Sequence, residues 1–228
     1  MKKNNLQVSM LFMLFSMLFT VCLIASNLFE TKQIKFFTHS QTGGLIIFPI
    51  SYIINDVVCE VWGYSKARIL IWLGFLMNFF FVSAGALCDW LPSADYWTGD
   101  EGFHAIFGLA PRIAAASFAA FICGSFVNAY VMSRMKVHDH GRNFSLRAIL
   151  STVFGESVDS LIFFPLAFIG IIPAEELPWL MCYQVLLKTG YEIIVLPLTI
   201  QVVRWVKKHE QEDTYDNNIT YNIFKVFG

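Results

Sequence analysis

The stretch L-Q-V-S-M-L-F-M-L-F-S-M-L-F-T-V-C-L-I-A-S-N-L-F, residues 6–29, runs from end to end without a charge. It is too long for the apolar core of a secretory signal, about 7–15 residues. As a helix it is long enough to cross a hydrocarbon layer about 30 Å thick. Met1-Lys2-Lys3 precedes it and further apolar runs follow, so it reads as a first spanning helix that is retained. Residues 69–88 and 113–133 are likewise uncharged. Residues 43–62, 148–172 and 177–203 reach spanning length only if internal charges are accepted.

Composition agrees. The 228 residues are 56% hydrophobic and 14% charged, against about 45–50% and about 25% in soluble domains. The expected fold is an all-α integral membrane protein of about six transmembrane helices. It forms one domain over residues 1–204, and a polar tail, residues 205–228, is expected to be poorly ordered. Net charge is −1 and no basic stripe exists, which argues against a nucleic-acid partner. The lipid bilayer is the expected environment. The cysteines (Cys22, Cys59, Cys88, Cys123, Cys182) show no C-x-x-C spacing, so neither a disulfide framework nor a metal site is expected.

Orientation follows from lysine and arginine. With both termini cytoplasmic, the inner side collects Lys2, Lys3, Lys66, Arg68, Arg134, Lys136, Arg142, Arg147, Arg204, Lys207, Lys208 and Lys225, and the outer side only Lys32, Lys35 and Arg112. That is the asymmetry of the positive-inside rule. The outer loop at residues 89–112 mixes acids with Trp90, Tyr96, Trp97, Phe103 and Phe107 around a lone His104. It reads as an interfacial aromatic belt, with a lid over an outward cavity as the alternative.

Chemistry concentrates on three spans. Asp56 and Glu60 are four apart, Glu156 and Asp159 three apart, and Gln184, Lys188 and Glu192 recur every four residues, so each set shares a helix face. Each charge costs roughly 2.5–3.5 kcal/mol at the bilayer centre on insertion scales. Lys188 can neutralise Glu192 one turn on, and Glu60 and Arg112 can sit near the interface where charge is cheap. Five acids against one central lysine still leaves carboxylates wanting a donor-rich or cationic partner. Pro49, Pro165 and Pro197 fall in the same three spans, where a proline frees backbone carbonyls and bends the helix. A central polar site on spans two, five and six is therefore expected. Asn27, Asn78 and Asn128 add hydrogen-bonding capacity. No H-E-x-x-H, G-x-S-x-G or G-x-x-x-x-G-K-[ST] occurs, so no enzyme and no cofactor is expected.

The string N-D-V-V-C-E-V-W-G-Y-S-K-A-R at 55–68 carries a resemblance. With A-S-N at 25–27, R-I-A-A-A-S at 112–117, E-S-V-D-S-L-I-F-F at 156–164, K-T-G-Y-E-I-I-V-L-P-L-T at 188–199 and the tail E-D-T-Y-D-N-N, it resembles the VUT family of queuosine-precursor transporters. The likeness implies a six-helix bundle similar to the S components of energy-coupling-factor importers. It also implies import of 7-deazaguanines (preQ0, preQ1 or queuine) through the bacterial inner membrane for tRNA queuosine modification. Carried over as positions matching the family's motifs are Asn27, Asp56, Glu60, Arg112, Asp159, Lys188 and Glu192, and Asn128 and Glu156 join them as expected substrate-binding residues. Asp56, Glu60 and Asp159 are the expected base readers, and Lys188 with Glu192 the expected gating or structural pair. The chain departs from several members at Asn128, where they carry an acid, and at Glu156, where they carry an amide. A 7-deazaguanine offers adjacent N1–H and N2–H₂ donors that one carboxylate can accept together. Tyr52, Trp62 and Tyr191 are candidates to clamp its ring. The alternatives are a binding subunit of an ATP-driven importer and a non-transporting structural membrane protein.

Overall fold

The computed structural model describes residues 9–30, 32–36, 39–107, 111–169, 175, 177–217 and 219–225. Helix α1 (Met10–Glu30) leads to a two-stranded antiparallel hairpin, β1 (Gln33–Phe36) and β2 (His39–Thr42), with Gln33 opposite Thr42. A short 3₁₀ turn, Gly43–Ile46, opens into α2 (Phe48–Trp62). Next come α3 (Tyr64–Trp90), the short α4 (Asp100–Phe107), α5 (Pro111–His138), α6 (Phe144–Phe168) and α7 (Leu177–Glu210). Six of these helices among the described residues are long and apolar enough to cross a membrane: α1, α2 with its 3₁₀ turn, α3, α5, α6 and α7. The all-α membrane bundle is therefore what the structure shows, with the hairpin as a small addition between the first two spans.

Helix α2 is the axis of the bundle. It is buried along most of its length, whereas α1, α3 and α7 turn large apolar side chains outward (Met13, Met17, Phe80, Leu186, Ile194). Exposed apolar faces around a buried polar strip are the arrangement lipid demands. Pro49 lies in the first turn of α2, where its missing N–H leaves no helical bond unmade. It starts that helix instead of bending it. Pro165 and Pro197 do sit inside α6 and α7.

Helices α5 and α6 cross closely. A Cβ built on Gly124 would lie 2.9 Å from the Gly155 carbonyl oxygen, and one on Gly155 would lie 2.9 Å from the Gly124 carbonyl oxygen. The two glycines let the backbones touch. That contact brings Asn128 of α5 and Asp159 of α6 to the same level as Tyr52 of α2, whose side chain lies against both glycines.

At the Lys/Arg-rich end the helices run further than the apolar stretches do: α3 begins at Tyr64, α5 reaches His138, α6 starts at Phe144 and α7 extends to Glu210. Arg68, Lys136, Arg147 and Lys207 in these extensions all find partners. The tail is the main correction to the sequence reading. Residues 211–217 and 219–225 pack on the bundle instead of trailing from it. Thr214 N–H donates to the Val61 carbonyl (3.0 Å), and Arg68 Nη1 donates to the carbonyls of Thr220 and Asn222 (3.1 and 2.8 Å). Trp72 Nε1 donates to the Ile223 carbonyl (2.8 Å). Buried Asp216 accepts from Tyr64 N–H (2.9 Å), at the first turn of α3, and from Ser133 Oγ (2.5 Å). Gly63 joins α2 to α3 with φ +80, a conformation that favours glycine, and a Cβ there would meet the Asp216 carboxylate.

In the loop before α5, His104 Nδ1 lies 2.7 Å from Asp89 Oδ2, and the Phe107 ring packs against Gly85 of α3.

Candidate functional site

Four helices converge on a buried polar layer. Helix α2 supplies Tyr52, Asn55 and Asp56, α5 supplies Ser125 and Asn128, α6 supplies Ser151, Thr152, Glu156, Asp159 and Ser160, and α7 supplies Lys188, Thr189 and Glu192. Every one of these is buried. Their spacing explains the convergence: three- and four-residue steps keep each set on the face its helix turns inward.

Within the layer, Asn55 Nδ2 donates to Asn128 Oδ1 (2.8 Å) and to the Ser125 carbonyl (3.3 Å), tying α2 to α5. Lys188 Nζ donates to Glu156 Oε2 (2.7 Å) and lies 3.7 Å from Asp159 Oδ2, tying α7 to α6. It also sits 4.2 Å from the centre of the Phe48 ring. The described ion pairs of Lys188 thus cross to α6, while Glu192, its expected partner one turn on, stands beside Asp56 and Thr152. Ser151 Oγ donates to Asp56 Oδ1 at 3.4 Å, a long contact, and to the Ala148 carbonyl at 2.8 Å.

The layer is under-satisfied. Asp56 Oδ2, Glu156 Oε1, Glu192 Oε2 and Asn55 Oδ1 are buried acceptors without a hydrogen bond. Tyr52 Oη, Asn128 Nδ2 and Thr152 Oγ1 face Ser125, Asp56 and Glu192 without a close hydrogen bond, and Ser160 Oγ and Thr189 Oγ1 also make none. An unsatisfied buried polar atom costs about 1–3 kcal/mol, and native proteins keep few of them. Water or a polar ligand placed among them would complete these contacts. Four carboxyls face a single lysine there, so the ligand best suited brings N–H donors or positive charge. Among the described residues no group of three His, Cys, Asp or Glu is placed to hold a metal ion.

Six of the nine sequence-predicted positions meet here: Asp56, Asn128, Glu156, Asp159, Lys188 and Glu192. Asn27 lies apart, its Oδ1 accepting from Ser117 Oγ at 3.3 Å between α1 and α5. The Arg112 side chain is outside the described residues. Glu60 belongs to a second ionic group. Its Oε2 accepts from Arg147 Nη2 (2.7 Å), and its Oε1 from Lys207 Nζ (2.6 Å). Lys136 Nζ lies 3.8 Å from Oε1 and also donates to the Glu60 carbonyl. Asp139 binds Arg147 through both oxygens (2.9 Å each), and Asp213 of the tail binds Lys136 (2.5 Å) and Lys207 (2.9 Å). Partial burial pushes the Asp213 carboxyl up, but the hydrogen bonds from Lys136 and Lys207 outweigh it and hold the group below the ordinary range. Three cations and three acids balance, and Arg147 is wholly buried.

Sequence reasoning missed Asn55 and Thr152 as members of the polar layer. Thr152 lies four residues before Glu156, so the same face argument could have found it, whereas Asn55, next to Asp56 in sequence, carries no such signal. Of the three aromatic candidates, Tyr52 lines the layer, whereas Trp62 packs on Phe12 and Phe15 near the Lys/Arg-rich end.

The comparisons agree with this architecture. A family model described as "putative vitamin uptake transporter" matches residues 42–202, the stretch that holds the polar layer. A "probable queuosine precursor transporter" of Bacillus subtilis (strain 168) is 30% identical over 195 residues, covering 84% of this chain and 83% of the relative. The "queuosine precursor transporter" of Escherichia coli (strain K12) is 28% identical over 157 residues, 67% of this chain and 66% of its own. A Haemophilus influenzae relative with the same name as the Bacillus protein is 26% identical over 132 residues, 58% and 54% of the two chains. No solved structure matches.

Proposed function

We propose, from the premise that the chain belongs to the vitamin uptake transporter family whose model spans residues 42–202, that it imports queuosine precursors. The substrate class is the 7-deazaguanine base, such as preQ0, preQ1 or queuine, carried through the bacterial inner membrane for tRNA queuosine modification. The names of the Bacillus, Escherichia and Haemophilus relatives support this reading. The observation that carries it is the set of unbonded buried acceptors, Asp56 Oδ2, Glu156 Oε1 and Glu192 Oε2, on three helices around one point.

A 7-deazaguanine matches that set chemically. Its N1–H and N2–H₂ form one donor pair that a carboxylate accepts in the bidentate manner, and Asp56 and Glu192 stand next to each other for this task. Asn128 Nδ2 and Thr152 Oγ1 supply donors for the carbonyl of the base. The aminomethyl cation of preQ1 would find its counter-charge at Glu156 and Asp159, which Lys188 only partly neutralises. Tyr52 and Phe48, whose rings lie 5.6 Å apart, offer apolar surface to its ring. Glu60, with three cations around it, is assigned to structure and gating instead of base reading.

Lysine and arginine counts support placing both termini in the cytoplasm. The relatives are named transporters, and transport rather than catalysis is the role assigned. The likeness to energy-coupling-factor S components rests on the family resemblance alone. The experiment is uptake of labelled preQ1, preQ0 and queuine into cells that cannot make queuosine precursors. Expression of this chain restores queuosine in tRNA if the reading is right, and leaves it absent if wrong.

A further inference from the structure

A cavity of about 360 Å³ lies at the Lys/Arg-rich end, between the α5–α6 connection and α7. Arg142, Phe144, Ile200, Val203 and Lys207 form its walls, and Glu60 forms part of its inner surface. The volume falls within the range of small-molecule sites, about 300–1,000 Å³.

Its position relative to the polar layer is the informative feature. Glu60 follows Asp56 by one turn of α2, a rise of about 6 Å. On α7, Glu192, Leu196, Ile200, Val203 and Lys207 recur at three- and four-residue steps and share one face, which runs from the polar layer to the cavity. On α6, Glu156, Thr152, Ala148 and Phe144 do the same in the opposite direction. Glu60, one turn from Asp56 and part of the cavity lining, is held there by Arg147 (2.7 Å) and Lys207 (2.6 Å).

We infer that this cavity is a second station for the transported base, its release vestibule on the cytoplasmic side, and that Glu60 with Arg147 and Lys207 is the latch between it and the central site. This rests on the transport reading above. The ionic arrangement suits such a latch. Arg147 already holds Asp139 through both oxygens and Lys207 already holds Asp213, so parting from Glu60 leaves neither cation without an acid. Opening leaves the Glu60 carboxylate with Lys136, 3.8 Å away, as its remaining cation. The N–H donor edge of a passing base can meet that carboxylate, as it meets Asp56 one turn deeper. Phe144, Ile200 and Val203 offer apolar surface for its flat faces.

The test reads thiol accessibility in inside-out membrane vesicles, with the full chain freed of its native cysteines and no substrate present. Ile200→Cys reports the cavity and Thr152→Cys the central site, each challenged with a membrane-impermeant maleimide. Ile200→Cys should label quickly in the parent, and Thr152→Cys slowly. Adding Glu60→Gln should speed Thr152→Cys labelling by about tenfold or more, as expected of a shifted two-state equilibrium. The charge exchange Glu60→Lys with Lys207→Glu should bring it back toward the parent rate. An unreactive Ile200→Cys, or a Thr152→Cys rate that Glu60→Gln leaves unchanged, overturns the proposal. Should Glu60→Gln fail to fold, Ile200→Trp fills the vestibule: uptake should fall severalfold, and parent-rate uptake overturns the latch and vestibule together. Labelling needs no base, so its outcome is separate from whether 7-deazaguanines are the substrate.

Discussion

Asp56 and Glu60 stand one turn apart on the same face of α2, yet each belongs to a different ionic group. Glu60 has both oxygens engaged, by Arg147 and Lys207, while Asp56 Oδ2 makes no close hydrogen bond and the residue stands beside Asn128 and a second acid, Glu192. The same residue chemistry at a four-residue spacing therefore supports two roles. The two positions should fail differently when neutralised.

Glu60→Gln removes the shared partner of buried cations. Breaking a buried ion pair from one side costs about 3–5 kcal/mol, so a marked drop in the melting temperature of the purified protein is expected. Asp56→Asn removes an acid that lacks a cation within ion-pair distance among the described residues, and its melting temperature should stay at or above the parent's. Thermal denaturation of the two variants side by side checks this. A stable Glu60→Gln with a collapsed Asp56→Asn would reverse the assignment.

Lys188 and Glu156 should be energetically coupled. Removing the lysine alone leaves Glu156 and Asp159 together without their cation, so Lys188→Met should destabilise strongly. Lys188→Met combined with Glu156→Gln should recover much of the loss. Contacting residues show coupling of about 0.5–3 kcal/mol in double-mutant cycles, and a cycle measured by chemical denaturation in detergent should fall in that range. Additive losses would show that the 2.7 Å contact carries no net interaction.

Gly155→Leu should disrupt the bundle where Gly155→Ala strains it. Even one Cβ would sit 2.9 Å from the Gly124 carbonyl oxygen and from Asn128 Cβ, so α5 and α6 must separate. The leucine variant is expected to lose the folded monodisperse peak in size-exclusion chromatography and to bind no base. An unaltered elution profile would argue against the close crossing.

The docked tail should show an acid-dependent signature. Asp213 is held below its ordinary range in the folded protein, so its contribution is present above the unfolded value of about 3.9 and is lost as pH falls through the lower folded value. The side chain is partly exposed, which keeps the effect modest. The melting-temperature difference between the parent and Asp213→Asn should be constant from pH 7 to about 5 and shrink below about pH 4. A difference that grows on acidification would contradict the sign.

Much of this architecture was legible from residue order. The uncharged run at 6–29, two others like it and three charged apolar runs correspond to six long helices. The acid spacings on α2, α6 and α7 placed Asp56, Glu156, Asp159 and Glu192 on inward faces. What linear patterns hide is partner choice across helices. Lys188 is nearest in sequence to Glu192 but meets Glu156, because facing side chains on α6 are closer in space than the next turn of α7. Glu60 looked like another binding acid because Arg147, Lys136 and Lys207 are 87, 76 and 147 residues away. The tail looked disordered by composition because its acids and carbonyls are satisfied by Lys136, Arg68, Trp72 and the first turn of α3, none of which lies near it in sequence.

The central claim, that the acid layer receives a 7-deazaguanine, is tested most directly by titrating preQ1, preQ0, queuine and guanine into the purified full-length protein and reading the shift in melting temperature. At least one 7-deazaguanine should stabilise the protein, with apparent affinity reduced about tenfold or more by Asp56→Asn and by Glu192→Gln. No stabilisation by any of them, or stabilisation that both variants retain in full, would contradict it.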